Sequence, residues 1–446
     1  MIAEHPPADR PRAPSGGARW PARVLVVDAE RIPDELSALR PDGPPYRELW
    51  LLVRAGGEVR GLVMLPCEGS RLSRERIEAA LRELASRAAG RARPPLPDPA
   101  PRASVVVTTV LERPEELRRC LASLAAVEYP GGFETIVVDN RPAGGPLPAW
   151  LEAAEGVRVV AQRRPGVSAG RNRGLAEAAG ELVAFLDDDV VVDPGWLGAY
   201  ARRFAAHPRE AAVAGLVLPN GIETEEDVRI EEYYGGYGAR SFEPLSQALE
   251  PPRGRRLLRP ATVVARDDRG AVAARFSLYE AGKLGVGANV AFRAAALRAL
   301  GGFDTALGPP TPTRSGEDVE VLARAAWRGH AIGFEPSAFV LHTDRRGDGA
   351  LQAKLLAYGT GFTAIIAALV ADDPRHLGAM VATFPEGARR LAGYFAAKLH
   401  AGAGGPRDER AERVSSIAEL ARTELRGMLL GPFAYVRSRR AQRGGA

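Results

Sequence analysis

The chain has 446 residues, 46% of them hydrophobic, and a formal net charge of +5. That length exceeds one small core, so two or three domains are expected, and the composition is that of an ordinary globular protein. Cys67 and Cys120 are the only cysteines, which excludes a disulfide scaffold and fits a reducing, cytoplasmic setting.

Residues 1–21 are rich in Pro, Arg and Gly, carry no apolar leader segment, and are expected to be disordered. Residues 22–89 read as a small α+β domain. LVV at 25–27 is a strand, and Leu49–Arg54 and Val59–Pro66 flank Ala-Gly-Gly-Glu as a hairpin. Residues 73–88 place Ile77, Leu81 and Leu84 on one helical face. Residues 90–102 (GRARPPLPDPAPR) form a Pro-rich linker.

From Ser104 the pattern alternates strands and helices: SVVVTTV (104–110), a helix opened by Pro114, ETIVVD (134–139), VRVVAQ (157–162), a helix capped by Ser168 and ended by Gly180, ELVAFL, a helix after Asp193-Pro194, and AAVAGLVLP (211–219). Near-continuous apolar strands between helices indicate a doubly wound, mostly parallel sheet covered on both faces. Such sheets bind ligands beyond their carboxyl ends. Thr108, Thr109, Asp139 and Asp187–Asp189 are all expected there, in one crevice. Residues 221–282 show no clear period and read as a long excursion over the active face. Regular structure resumes with GANVAFR (287–293), helices at 294–300 and Ser315–Arg328, and strands near 331–342.

Residues 346–446 read as a helical, basic region. FTAIIAALV (362–370) and LGAMVATF (377–384) are each too short to span a bilayer, and with no run of about 18 apolar residues no membrane-spanning helix is expected. From Arg389 onward there are 12 basic and 5 acidic residues, a net +7. Basic helices with Tyr394, Phe395, Phe433 and Tyr435 as anchors could lie peripherally on the anionic inner face of a cell membrane. A subdomain packed on the core, or a dimer contact, is the alternative. No nucleic-acid partner is expected, because no binding module accompanies the charge.

Four motifs carry chemistry. A buried strand running straight into Asp187, Asp188 and Asp189 is a place for a divalent cation, Mn²⁺ or Mg²⁺, with substrate phosphates completing its shell. Ser315-Gly316-Glu317-Asp318 opens a helix; Ser315 reads as its N-cap and Asp318 as a candidate base. Arg171 and Arg173 stand near a helix start, where the dipole does not favour cations, so a phosphate to neutralise is suggested. His342 follows a strand and is either a partly buried structural residue or a metal ligand. His207, His330 and His376 read as structural.

Together these pieces resemble family 2 glycosyltransferases of the GT-A fold. The resemblance covers about residues 103–345, through SVVVTTVLERPEELRRCLASL, TIVVDN, RPGVSAGRNRGLAEAAGELVAFLDDDVVVDPGWL, GANVAFRAAALRALGGFD and GEDVEVLARAAWRGHAIGFEPSAFVLH in order. It implies that Thr108 and Asp139 contact the nucleobase and ribose of a donor. Arg171 would face the nucleobase or diphosphate. Asp187 and Asp188 would lie toward the donor, Asp189 on the metal ion, His342 completing the metal shell, and Asp318 acting as the base of an inverting transfer. Val110-Leu111-Glu112 departs from the aromatic or basic residue usual after the first strand. The Gln-x-x-Arg-Trp signature of processive synthases is absent, since AKLLAY follows Gln352. The implied activity is metal-dependent transfer of one sugar from a nucleotide sugar, a UDP-sugar, to a hydroxyl acceptor, such as a lipid-linked glycan, in cell-envelope or polysaccharide synthesis. A nucleotidyltransferase would carry a Gly-rich phosphate loop where this chain has TTVLERP, and a non-catalytic scaffold would not need both Asp189 and Asp318.

Overall fold

The computed structural model describes residues 20–40, 43–88, 93–233, 240–251, 260–343, 345, 349–383, 387, 389, 392–393 and 407–444. The expected disorder of the N-terminus, linker residues 90–92, and the anchors Tyr394 and Phe395 lie outside the described residues.

The chain begins with β1 (Ala22–Asp28), β2 (Glu35–Ser37), β3 (Glu48–Ala55), β4 (Glu58–Pro66), β5 (Arg71–Ser73) and α1 (Arg74–Ala88). β1 runs parallel to β3, and β3 antiparallel to β4. The β3–β4 hairpin turns through Gly56 and Gly57 at φ 60° and 74°, left-handed positions that favour glycine. One face of this sheet packs Leu49, Leu51 and Val53 against Ile77 and Leu81 of α1. The other packs Trp50, Leu52 and Val59 against Leu216, Leu218 and Phe339 of the larger sheet. Residues 22–88 thus have one core of their own and a second apolar face that packs on the larger sheet.

The next stretch alternates as the sequence suggests: β6 (Ala103–Thr109), α2 (Pro114–Ala125), β7 (Phe133–Asp139), α3 (Ala149–Glu152), β8 (Val157–Ala161), α4 (Val167–Glu177), β9 (Leu182–Leu186), β10 (Val190–Val192), α5 (Trp196–Ala206) and β11 (Glu210–Pro219). β9, β6, β7 and β8 lie side by side and parallel. Val105, Val106 and Val107 in β6 are all buried, as a strand covered on both faces requires.

The described residues of 221–282 are regular elements rather than a long excursion over the active face. They form α6 (Glu225–Tyr233) and three strands, β12 (Leu245–Leu249), β13 (Thr262–Arg266) and β14 (Val272–Ser277), that extend the sheet antiparallel at one edge. Each is only five or six residues long, too short for its apolar residues to show a period. β15 (Asn289–Arg293) pairs antiparallel between β9 and β11. α7 (Ala294–Ala299), α8 (Glu317–Trp327) and β16 (Ala331–His342) complete the eleven-stranded sheet, in which β16 runs parallel to β11.

α9 (Ala350–Asp372) and α10 (Arg407–Gly444) pack against each other, and α9 also packs on α8. The short segment expected at 362–370 is thus part of one 23-residue helix, which by length and composition is apolar enough to cross a membrane. Leu355, Gly359, Ala364, Ile365 and Leu369 are buried against the rest of the protein, which gives the apolar composition a place in the fold. Gly359, Gly427 and Gly431 let the two backbones touch: a Cβ on Gly359 would lie 2.0 Å from the Glu424 carbonyl oxygen.

Candidate active site

Parallel pairing sets three strand ends level. Thr109 of β6 stands opposite Asp139 of β7, and Val107 opposite Leu186, the last residue of β9. Thr108, Thr109, Asp139 and the aspartate cluster therefore border one crevice beyond the carboxyl end of the sheet. The Thr109 hydroxyl donates to Asp188 Oδ2 and ties two of these ends together. Thr108 Oγ1 is buried without a hydrogen-bond partner. α4 comes so close to β6 here that a Cβ on Gly170 would sit 2.3 Å from Thr108 Cγ2.

His342 reaches the cluster through strand register. β10 leaves the aspartates directly and pairs antiparallel with the end of β16, Val190 opposite His342. The Thr343 N–H donates to the Asp189 carbonyl at 3.0 Å, and His342 Nε2 lies 3.2 Å from Asp189 Oδ1. Asp187, Asp189 and His342 each offer one ligand atom, all within 4.8 Å of one another. Two carboxylate oxygens and an imidazole nitrogen fit a divalent cation of the Mn²⁺ or Mg²⁺ kind.

Arg171 joins this half of the crevice to the other. It is 3% exposed. Its guanidinium donates to Glu317 Oε1 at 2.8 Å, to Asp187 Oδ1 at 3.1 Å and to the Gly287 carbonyl at 3.3 Å, and lies over the Phe303 ring. Arg173, two residues on, turns outward and pairs with Glu177 at 2.8 Å; it is a surface ion pair, not a phosphate ligand. Asp318 sits in the first turn of α8, where its Oδ2 accepts the Gly287 N–H at 2.5 Å. Asp318 is close enough to Asp187 to raise its pKa. The aspartate cluster and the helix start thus face one crevice.

The electrostatics are crowded. Desolvation pushes the Asp188 carboxyl up to about 6 against the Thr109 hydrogen bond, and Asp189 and Asp187 add to the rise. Desolvation also raises Asp187, opposed by Arg171. Burial raises Glu317, and the adjacent Asp318 charge adds to it while Arg171 opposes. Five carboxylates meet few cations, an arrangement that favours a bound metal ion. Asp139 is different. Burial would raise it, but Arg141 and Arg163, each at 2.9 Å, hold it below its ordinary range.

Two site residues escape a reading of the sequence. Arg113 at the start of α2 donates to Asp189 Oδ2 at 2.6 Å and to the Thr343 carbonyl at 3.1 Å; only its position just past a strand end hints at this. Glu317 reads as a helix-dipole acid but is buried as the partner of Arg171. Two expected caps are absent. Ser168 donates to the Leu307 carbonyl at 2.9 Å, and Gly166 is the N-cap of α4. Ser315 donates to the Ala357 carbonyl of α9 at 2.8 Å, while left-handed Gly316 at φ 102° caps α8. Both hydroxyls pin their helix to a neighbour instead. Leu111 turns at φ 56°, and Glu112 pairs with Arg345 at 3.1 Å on the surface. His376 is fully buried against Trp327, as a structural histidine should be.

A cavity of about 470 Å³ lies elsewhere, between the N-terminal sheet and the main one, lined by Asp28, Arg54, Arg93, Asp193 and Arg202. Arg54 there holds both Asp28 and Asp193, at 2.8 Å and 2.6 Å, so its nearest acids are already neutralised.

Residues 104–264 match the family model described as glycosyl transferase family 2. A pre-mycofactocin glycosyltransferase of Mycobacterium tuberculosis is 30% identical over 340 residues, covering 75% of this chain and 60% of that protein. A glucosyl-dolichyl phosphate glucuronosyltransferase of Haloferax volcanii is 26% identical over 132 residues, 29% of this chain and 42% of that protein. A mannosyltransferase from Pyrobaculum calidifontis, solved with GDP-Man and Mn²⁺, superposes with a TM-score of 0.42 at 20% identity, over 79% of this chain and 91% of that one. The chain spans 60% of the length of the first of these relatives. The sheet has the parallel, helix-covered core expected from the sequence, in the order β9-β6-β7-β8, set within a larger mixed sheet. Asp318 and His342 lie beyond the span matched by the family model.

Proposed function

We propose that this crevice transfers a sugar from a nucleotide sugar, a UDP-sugar, to a hydroxyl acceptor, with inversion at the anomeric carbon. The observation that carries the reading is Arg171. One buried guanidinium spans from the aspartate cluster to the first turn of α8, which is where a diphosphate and an attacking hydroxyl would meet. The match to a glycosyl transferase family over 104–264 supports the same chemistry. The setting proposed is cytoplasmic synthesis of a cell-envelope polysaccharide or glycolipid. One relative is named for a glucosyl-dolichyl phosphate, which agrees with a lipid-linked acceptor.

Each residue has a physical task. Asp187, Asp189 and His342 would hold the cation, which when bound supplies positive charge to the diphosphate leaving group. Arg171 adds a fixed positive charge that needs no reorganisation as negative charge develops. Thr108 offers a buried, unpartnered hydroxyl to the donor, and Asp139 positions Arg141 and Arg163 at the rim beside it. Asp318 accepts the proton of the acceptor hydroxyl as its oxygen attacks the anomeric carbon. A single displacement needs one base and no enzyme nucleophile, unlike a retaining hydrolase with paired carboxylates.

The test is release of nucleoside diphosphate from a panel of sugar donors with Mn²⁺. Asp318→Asn should lower kcat by about 10²–10⁴ while donor binding and Tm are kept. Full activity in Asp318→Asn removes the base assignment. Release of sugar 1-phosphate in place of nucleoside diphosphate identifies a nucleotidyltransferase.

A further inference from the structure

α10 is amphipathic in the wrong direction for a soluble helix pair. Its inward side, toward α9, carries Gly427, Gly431 and Tyr435, with Tyr435 buried and its hydroxyl donating to Asp304 at 2.9 Å. Tyr435 is therefore a packing residue, not the membrane anchor expected from sequence. The largest apolar side chains point the other way. Leu429 is 77% exposed and Phe433 78%, with Leu425, Leu430 and Val436 also exposed. At 100° per residue, Leu425, Leu429, Phe433 and Val436 fall within one narrow stripe on the side opposite α9.

The charges around the stripe decide its occupant. Between residues 422 and 440 the exposed positions include Arg422, Arg426, Arg437 and Arg440, and none of them is acidic. The one acid in that interval, Glu424, is buried. Two copies meeting through this face would bring like charges together. An anionic bilayer is complementary to both features, because apolar side chains enter the acyl boundary while arginines stay among the phosphates.

We propose that the outer face of α10 docks the protein peripherally on an anionic lipid bilayer, through Leu425, Leu429, Phe433 and Val436 and the four arginines. The placement suits an acceptor delivered from that surface. Ser315, three residues before Asp318, is bonded to α9, and α9 rests on α10. The docking itself does not rest on the sugar-transfer reading, since it is measured on vesicles without donor.

The experiment is co-sedimentation of the full chain with vesicles of phosphatidylcholine alone or with about one third phosphatidylglycerol. Binding is expected only to the anionic vesicles, and it should fall as salt is raised. The double variant Leu429→Glu, Phe433→Glu should abolish it. Neutralising Arg422, Arg426, Arg437 and Arg440 to Gln should weaken it at least about a hundredfold, with Tm kept because all of these side chains are exposed. The quadruple variant keeps the test decisive if the double one fails to fold. No binding, equal binding to both vesicles, or a dimer in light scattering that Leu429→Glu breaks would each overturn the proposal, the last assigning the face to a second copy.

Discussion

The two ends of the large sheet handle buried charge in opposite ways. At its amino end, where β11 begins, Glu210 meets Arg203 in a two-pronged pair at 2.9 Å and 2.6 Å, both side chains almost fully buried. Asp268 takes the remaining guanidinium nitrogen at 2.7 Å. Every charge there has a partner. At the carboxyl end Asp187, Asp188, Asp189, Glu317 and Asp318 crowd around Arg113, Arg171 and His342, and the Asp187, Asp188 and Glu317 pKa values rise. The balanced end is built for stability, while the unbalanced one is held in tension by the fold and awaits ligands that carry the missing charge.

Mutation should separate the two ends. Arg203→Ala leaves Glu210 buried and uncompensated, with an expected cost of about 3–5 kcal/mol in urea unfolding. Asp187→Asn at the other end should abolish donor turnover yet leave Tm in chelator unchanged or higher, since it relieves repulsion. A comparable loss of stability in both variants would erase the distinction.

Adding Mn²⁺ sharpens it further. A saturating cation at about 100 times its Kd should stabilise the protein by about 2.7 kcal/mol, and Asp189→Asn or His342→Ala should remove that shift. Arg203→Ala should keep it. A Tm indifferent to divalent ions would take the cation out of the crevice.

The smallest effect concerns His376 on the α8–α9 side. Burial depresses its pKa to about 4, so the unfolded chain binds the proton first as pH falls. Stability is then complete above about 6.5 and declines toward 4, by about 1–2 kcal/mol at pH 5. His376→Gln should flatten that part of the profile, and an unchanged slope would show that another group titrates.

The crevice is readable where one residue type sits at one strand end. An apolar run broken by three aspartates marks the end of β9 and the acidic cluster beyond it, and Arg171 stands out at a helix start. Arg113 and Glu317 are not readable, because each works through a partner 76 or 146 residues away. Ser168 and Ser315 mislead for a related reason: a hydroxyl before a helix is a cap by local rules, but a neighbouring carbonyl captures it in the folded chain. β12–β14 hide because each is only five or six residues long, too short for an apolar period to stand out. The length of α9 hides because Lys354, Thr360 and Thr363 divide an apolar helix into shorter runs.

β10 is three residues long, yet its pairing brings the aspartates beside the imidazole, on a stretch of β16 that β11 holds from the other side. A slip of one position along β16 would send that ring to the opposite face of the sheet. A nascent polypeptide halted before residue 342 would own three carboxylates and no nitrogen ligand, so tight cation capture should begin only after the last strand has locked in, making it a readout of finished assembly.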